Sequence, residues 1–375
     1  MADFPQAEFE HRLSRAQSAM AAAGLDALLL CTEAEVRYFT GFRTLFWLSP
    51  TRPWFLVLPR AGEPVAVIPE IGAELMSGTW VRDIRTWPAP RRADDGISLL
   101  CSALAGFSEI GLPMGEEASL RMPLSDFDSL RQGVRGRFSD CTALIRDLRM
   151  VKSSAEIAII EQICQIASTT FERAAALFRV GQPLAEAFRA FRIALLEAGA
   201  DDVPYLVGGA GRGGYRDIIS PPGPLPLETG DILMLDTGAT LQGYFCDFDR
   251  NFALGRAEAD ARAAYNVLWR ATQAGLEAAR PGLRACDLFA IMHAALGSGK
   301  SAVGRYGHGL GMQLTEWPSL SAADGTLLRP GMVITLEPSM ALTDGRMMVH
   351  EENILITDDG ARLLTRRAAP ELPVI

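Results

Sequence analysis

Several features are scarce in this chain, and each shortage excludes something. There is no Cys-x-x-Cys pair: the six cysteines, Cys31, Cys101, Cys141, Cys164, Cys246 and Cys286, are scattered, which excludes a zinc ribbon or a dithiol redox motif. Scattered thiols are expected to be reduced and mostly buried, as suits a cytoplasmic protein. No stretch approaches the roughly eighteen uncharged apolar residues of a membrane span, so no membrane partner is expected. The segment Met1 to Arg15 is charged and holds no apolar run, which predicts no signal peptide. Positive charge is in deficit, 36 Lys+Arg against 45 Asp+Glu, for a net charge of −9. A surface of that sign repels phosphate backbones, so nucleic acid is not an expected partner. Internal repeats and low-complexity tracts are absent. Only four histidines occur among 375 residues, so imidazole chemistry has few candidates.

What is present is ordinary globular material, with 49% apolar and 22% charged residues, enough for two domains or one large one. Residues 8–23 read as an amphipathic helix that Gly24 ends. Leu25 to Cys31, Trp54 to Leu58 and Val65 to Ile68 read as strands, the last two separated by the turn-like Arg60-Ala61-Gly62-Glu63. The alternation continues to about Ile145 and predicts an α/β domain with a mixed sheet. A boundary falls near residues 146–152, dividing the chain into 1–148 and 149–375. Ser153 with Glu156 three residues on makes a capping box, and the helix it opens is expected to reach about Phe178. A second helix follows Pro183 and ends near Gly199. Beyond it strands are expected at 231–237, 243–252, 331–336 and 351–357, with helices near 257–279 and 284–296. The second domain is therefore α+β.

The chemistry-bearing residues lie in that second domain. In GDILMLDTGATLQGYFCDFDRNF, residues 230–252, the apolar run Ile232 to Leu235 ends in Asp236. Turn chemistry follows, and a second strand returns with Asp247 and Asp249. A hairpin of this length brings Asp236 and Asp247 face to face. Two close carboxylates repel unless one is protonated or a cation sits between them. Gly307-His308-Gly309-Leu310-Gly311 surrounds one histidine with glycines, which lets the backbone pass close to a neighbour and exposes the ring. Met332 to Leu336 is a buried β run ending in Glu337 and stopped by Pro338. Glu351 lies between apolar segments, and Glu352 beside it faces the opposite side of a strand. Four carboxylates and one imidazole are a hard-donor set suited to Mn²⁺, Fe²⁺, Co²⁺ or Zn²⁺. The glycine stretch Gly208 to Gly214 invites a dinucleotide reading, but Pro221, Pro222, Pro224 and Pro226 follow where the phosphate cradle needs a helix.

Taken together, Asp236, Asp247, the GHGLG around His308, the LEP at Glu337 and the Glu351 strand resemble, in order and spacing, the pita-bread family of methionine aminopeptidase, prolidase, aminopeptidase P and creatinase. The resemblance implies a pita-bread catalytic domain at 149–375 holding two divalent metal ions, Mn²⁺ first, with Co²⁺, Zn²⁺ or Fe²⁺ as alternatives. It implies that Asp236 binds one ion, that His308 and Glu337 bind the other, that Asp247 and Glu351 bridge them, and that Glu337 shuttles the proton. Glu35 to Phe42, EVRYFTGF, is similar to the creatinase-type N-terminal domain, and Arg149 to Ser153 with Glu156-Ile157 to the entry of its catalytic domain. Methionine aminopeptidases lack that N-terminal domain. Prolidase- and creatinase-like relatives are usually homodimers whose N-terminal domain walls the partner's site, and Phe46 and Trp47 are placed either for such a wall or for ordinary packing.

The chain departs from the family's pattern where the substrate is handled. Ile219 or Ser220 stands in place of one family histidine and Thr315 in place of another. Val349 replaces the arginine of prolidase-like members, and Asp249 replaces a common threonine. Those histidines steady the substrate and its tetrahedral intermediate, so their loss argues against an efficient general Xaa-Pro peptidase and against creatinase. Arg212 and Arg216, in or beside the glycine-rich loop, are candidates to grip a substrate carboxylate. Thr315 and His350 are further substrate-binding candidates, although strand alternation turns His350 away from the metals. Asp249 either joins the metal shell or makes a strand-end hydrogen bond or a salt bridge to Arg250. The expected function is dinuclear-metal hydrolysis of an amide C–N bond in a dipeptide or other small peptide-like molecule, Xaa-Pro peptidase-like with altered substrate residues. The alternatives are a lyase acting on a small sulfonium compound, a creatinase-like amidinohydrolase, and a catalytically silent binding protein.

Overall fold

Gly24 ends the first helix for the reason its position suggests. In the computed structural model, which describes residues 4–49, 53–297 and 304–375, the helix Gln6–Ala23 stops where Gly24 adopts φ 70° and its N–H turns back to the Met20 and Ala21 carbonyls. That left-handed conformation costs glycine nothing. Residues 1–3, the start of the charged segment 1–15, lie outside the described residues. The chain divides into two compact units, Met1–Arg149 and Met150–Ile375.

The first unit holds strands β1 (Ala27–Leu30), β2 (Phe55–Pro59), β3 (Val65–Pro69), β4 (Asp83–Trp87), β5 (Glu109–Leu112) and β6 (Arg137–Asp140). They form one sheet in the order β4-β3-β2-β1-β5-β6. It is mixed, as the sequence suggests: β1–β2 and β2–β3 are antiparallel, while β3–β4, β1–β5 and β5–β6 are parallel. The central strand β1 is buried along its whole length, which is why it reads as an unbroken apolar run rather than an alternating one.

In the second unit the helix Ser154–Phe171 opens with the expected reciprocal cap: Glu156 N–H donates to Ser153 Oγ and Ser153 N–H to the Glu156 carboxylate. It ends at Phe171, earlier than the sequence suggests, and Ala174–Leu177 is a separate helical turn. The break brings Phe178 back onto the aromatic cluster of Phe171, Phe191 and Phe252, so packing overrides helix propensity there. The helix Leu184–Glu197 follows. The strands are β7 (Asp202–Arg212), β8 (Asp231–Leu241), β9 (Tyr244–Phe245), β10 (Phe248–Ala253), β11 (Arg305–Gly309), β12 (Glu316–Ser321), β13 (Val333–Leu336), β14 (Ser339–Ala341), β15 (Met347–Val349), β16 (Glu352–Ile356) and β17 (Ala361–Leu363). One sheet runs β10-β8-β7 with β9 paired to β8, a second runs β12-β11-β13-β16-β17, and β14 pairs β15. The helices Ala259–Ala278 and Ala285–Ala295 bury Tyr265, Leu268, Leu288 and Met292 in one core with Ile334, Leu336 and Ile354.

Two stretches differ from their sequence reading. Most of Gly208 to Gly214 is not a loop but the end of the eleven-residue strand β7. Its glycines serve close approach: a Cβ on Gly208 would lie 2.2 Å from the Met234 carbonyl oxygen and one on Gly209 2.5 Å from that of Asp217. Gly307 and Gly309 likewise belong to strand β11, and a Cβ on Gly307 would lie 2.2 Å from the Thr335 carbonyl oxygen. His308 is consequently buried, not exposed.

Glu351 and Glu352 face opposite ways, as strand geometry requires. Glu352 is fully buried and accepts from Arg250 (2.9 Å), Arg367 (3.2 Å), the Ala368 N–H (2.8 Å) and the Thr365 hydroxyl. Removing its charge leaves Arg250 without its anion. Glu352→Ala is expected to cost about 3 kcal/mol or more of stability in urea unfolding, whereas a loss under about 1 kcal/mol would show that the network does not hold the sheet.

Candidate metal centre

The β8–β9 hairpin turns at Gln242 and Gly243, both left-handed with φ 46° and 68°, as a two-residue hairpin requires. Across the sheet Asp236 faces Asp249 on β10 and Val207 on β7. Asp247 lies just before β10, and its backbone is clamped by Asn353 of β16. The Asp247 N–H donates to Asn353 Oδ1 at 2.9 Å and the Asp247 carbonyl accepts from Asn353 Nδ2. Glu351 N–H donates to Asp249 Oδ1 at 2.8 Å, and the other Asp249 oxygen accepts from Asn251 Nδ2 at 3.3 Å. Of the readings open for Asp249, the geometry shows the strand hydrogen bond. Glu337 follows β13, with its N–H on the Tyr306 carbonyl at 3.0 Å.

His308 is oriented by two bonds. Its N–H donates to Thr335 Oγ1 at 3.1 Å, and its Nδ1 lies 2.9 Å from the Gly309 carbonyl oxygen. A carbonyl only accepts, so Nδ1 carries the proton and Nε2 is left with a lone pair. That Nε2 sits 3.4 Å from Asp247 Oδ2. Burial, aided by the Arg305 guanidinium, lowers His308 to about 4, so the ring is neutral at pH 7. Two acceptors facing each other at this distance need a proton or a metal cation between them.

The carboxylates tell the same story. One ligand atom from each of Asp247, His308 and Glu351 lies within 4.8 Å of the others. Asp236 is pushed up to about 7 by burial, and Glu337 to about 8 by burial and the charge of Asp236. Asp247 and Glu351 are raised well above the usual range, by burial first and then by their acidic neighbours. Asp236 Oδ1 and Glu351 Oε1 are buried without any hydrogen-bond partner. Bare buried oxygens beside a neutral imidazole lone pair fit divalent cations.

A family profile described as metallopeptidase family M24 matches residues 158–358, more than half of the chain. The chain belongs to metallopeptidase family M24. A creatinase/prolidase N-terminal domain profile matches residues 12–151. The chain is 28% identical over 350 residues to the Xaa-Pro dipeptidase of Pyrococcus horikoshii, covering 91% of this chain and 93% of that one. It is 30% identical over 268 residues to the Xaa-Pro dipeptidase of Pyrococcus furiosus, covering 68% and 73%. The crystal structure of dipeptidase PepE from Mycobacterium ulcerans matches with a TM-score of 0.85 at 27% identity and 99% coverage of both chains. This M24 chain is a metal-dependent hydrolase similar to Xaa-Pro dipeptidases, as its motifs imply.

The substrate candidates are placed less kindly than the acids. Arg212 pairs with Asp231, five residues along β7 from the Val207 that faces Asp236, a separation of roughly 17 Å. It is exposed and bonded to Glu258 at 2.8 Å, so it is out of reach of the centre. Arg216 is exposed beside Gly345 and lines with Arg212 and Arg346 a cavity of about 620 Å³. His350 is buried with Nδ1 3.0 Å from Thr272 Oγ1 and its ring against Tyr265, which removes it from substrate contact. Thr315 is half-buried in the segment after β11. That segment is fixed by Glu316, which meets Lys152 at 2.9 Å in a buried ion pair and accepts the Gln313 N–H at 3.2 Å.

Sequence reading missed Tyr205, whose hydroxyl donates to Asp236 Oδ2 at 3.2 Å, and Asn353. Asn353 lies two residues after Glu351, where alternation would have placed it on the same face. Lys152 had a signal too: it is one of only two lysines in the chain.

In metal-free protein the raised carboxyls hold protons more tightly in the folded state than in the unfolded chain, where they titrate near about 4. Their contribution to stability is full below that value and is lost as pH rises through about 7 and about 8. The thermal midpoint of chelator-stripped protein is expected to fall between about pH 5 and about pH 8.5, and saturating Mn²⁺ to raise it at the alkaline end. No Mn²⁺ effect at about pH 8 would contradict the fit.

Proposed function

We propose that this chain hydrolyses Xaa-Pro dipeptides with two divalent cations held by Asp236, Asp247, His308, Glu337 and Glu351. The observation that carries this reading is the bare, buried acid cluster around the His308 lone pair. The named activity of the relatives supports the substrate class. When bound, the cations supply Lewis acidity toward a carbonyl and a water of lowered pKa. Hard oxygen donors with one imidazole favour Mn²⁺ first.

The side chains divide the remaining work. Asp247 and Glu351 would each hold both cations, Asp236 would hold one of them, and His308 and Glu337 would hold the other. Neutral His308 turns the Nε2 lone pair toward the site and keeps its proton on Nδ1 against the Gly309 carbonyl, so it is not the general acid. Glu337, ionised by the charge of the cations it would hold, is suited to take a proton from the attacking water and return it to the leaving proline nitrogen. Tyr205 holds Asp236 by its hydroxyl, which limits the rotation of that carboxylate.

The test is release of free proline from a panel of Xaa-Pro dipeptides by the Mn²⁺-loaded protein. Glu337→Gln is expected to lower kcat by roughly 10²- to 10⁴-fold. Absence of proline release from every dipeptide by the loaded wild type would sink the reading.

A further inference from the structure

A dipeptide brings a C-terminal carboxylate of its own, and a guanidinium on the ligand face could hold it bidentately beside the metal centre. The arginines expected from sequence do not provide one. Arg212 is bonded to Glu258 at the far end of β7. Lys152 is engaged by Glu316 and Arg250 by Glu352.

Arg305 meets the requirement by a feature of strand pairing. In the β11–β12 ladder Arg305 faces Ser321 and His308 faces Ser319, with a register slip between them. Ser319 and Ser321 are two apart on β12 and so share a face. Residues paired across strands also share a face. The bulge therefore absorbs the extra residue of β11 and sets Arg305 on the same side as His308, where simple alternation would have opposed them. Arg305 is half-buried. Its charge acts on His308, Asp247 and Glu337, yet among the described residues its side chain has no hydrogen bond or ion pair.

We infer that Arg305 is the anchor for the substrate's C-terminal carboxylate. Its planar fork can take both carboxylate oxygens at once. An anchor on the ligand strand selects substrates whose free carboxylate belongs to the residue just after the scissile bond, which means dipeptides rather than longer or amidated chains. This inference rests on the Xaa-Pro reading for the identity of the substrate.

The experiment compares a reduced-bond, uncleavable Ala-Pro analogue with its C-terminal carboxamide, by calorimetric binding to the Mn²⁺-loaded protein. Wild type is expected to bind the acid roughly 30-fold more tightly than the amide. Arg305→Met should bring the two within about threefold by weakening the acid alone. Arg305→Lys, which keeps the charge but not the fork, should fall between. Equal binding of acid and amide by wild type, or a preference that survives in Arg305→Met, overturns the assignment. Hydrolysis of Ala-Pro is followed in parallel. Cleavage without acid preference refutes the anchor and leaves the peptidase reading standing. Acid preference lost in Arg305→Met, without cleavage by wild type, keeps the anchor and refutes that reading. Binding of neither probe overturns the anchor, and if Ala-Pro is also left uncleaved it overturns the peptidase reading as well.

Discussion

Like charges held together out of water are the constraint around which the second unit is built. Asp236, Asp247, Glu337 and Glu351 are raised by burial, and the last three are raised further by their acidic neighbours. Such a cluster costs several kcal/mol unless positive charge or protons compensate it. The contrast with Glu352 is instructive. That neighbouring carboxylate is as buried, but four donors satisfy it. Glu351, one residue away, is left with an oxygen that no donor reaches. Satisfied on one face and bare on the other, the two adjacent glutamates separate a structural carboxylate from one reserved for a ligand.

The scaffold grips the backbones of Asp247, His308, Glu337 and Glu351 from other strands. Asn353 grips both backbone groups of Asp247, Asp249 takes the Glu351 N–H, Thr335 takes that of His308, and the Tyr306 carbonyl takes that of Glu337. These backbones are thus fixed by other strands, while Tyr205 and the Gly309 carbonyl orient the side chains of Asp236 and His308. That is what a preorganised metal site needs. Glycines make the close strand approaches possible, at Gly208 against the Met234 carbonyl and at Gly307 against that of Thr335.

Much of this was legible in the sequence because its signals are local. Gly24, the Ser153–Glu156 cap and the apolar runs ending in Asp236 and Glu337 each report on a few consecutive residues. Opposite faces for Glu351 and Glu352 follow from the period of a strand. What was hidden depends on partners distant in the chain. Gly208 to Gly214 invites a phosphate-cradle reading, and only the chain passing at Asp217 shows that glycine there is a packing requirement within a strand. The capture of Glu351 by Asp249 and of Asp247 by Asn353 needs the two sheets to be brought together. Arg305 is the sharpest case: counting residues from His308 gives the wrong face, because the bulge is a property of the pairing with β12 and not of β11 alone.

The central claim is that these five residues form one site for two cations. Calorimetric titration of chelator-stripped protein with Mn²⁺ tests it most directly, read as ions bound per chain. The account requires about two ions per chain in wild type, and loss of both in Asp247→Asn, since that carboxylate is shared. A wild-type stoichiometry near zero, or full loading in Asp247→Asn, would contradict it.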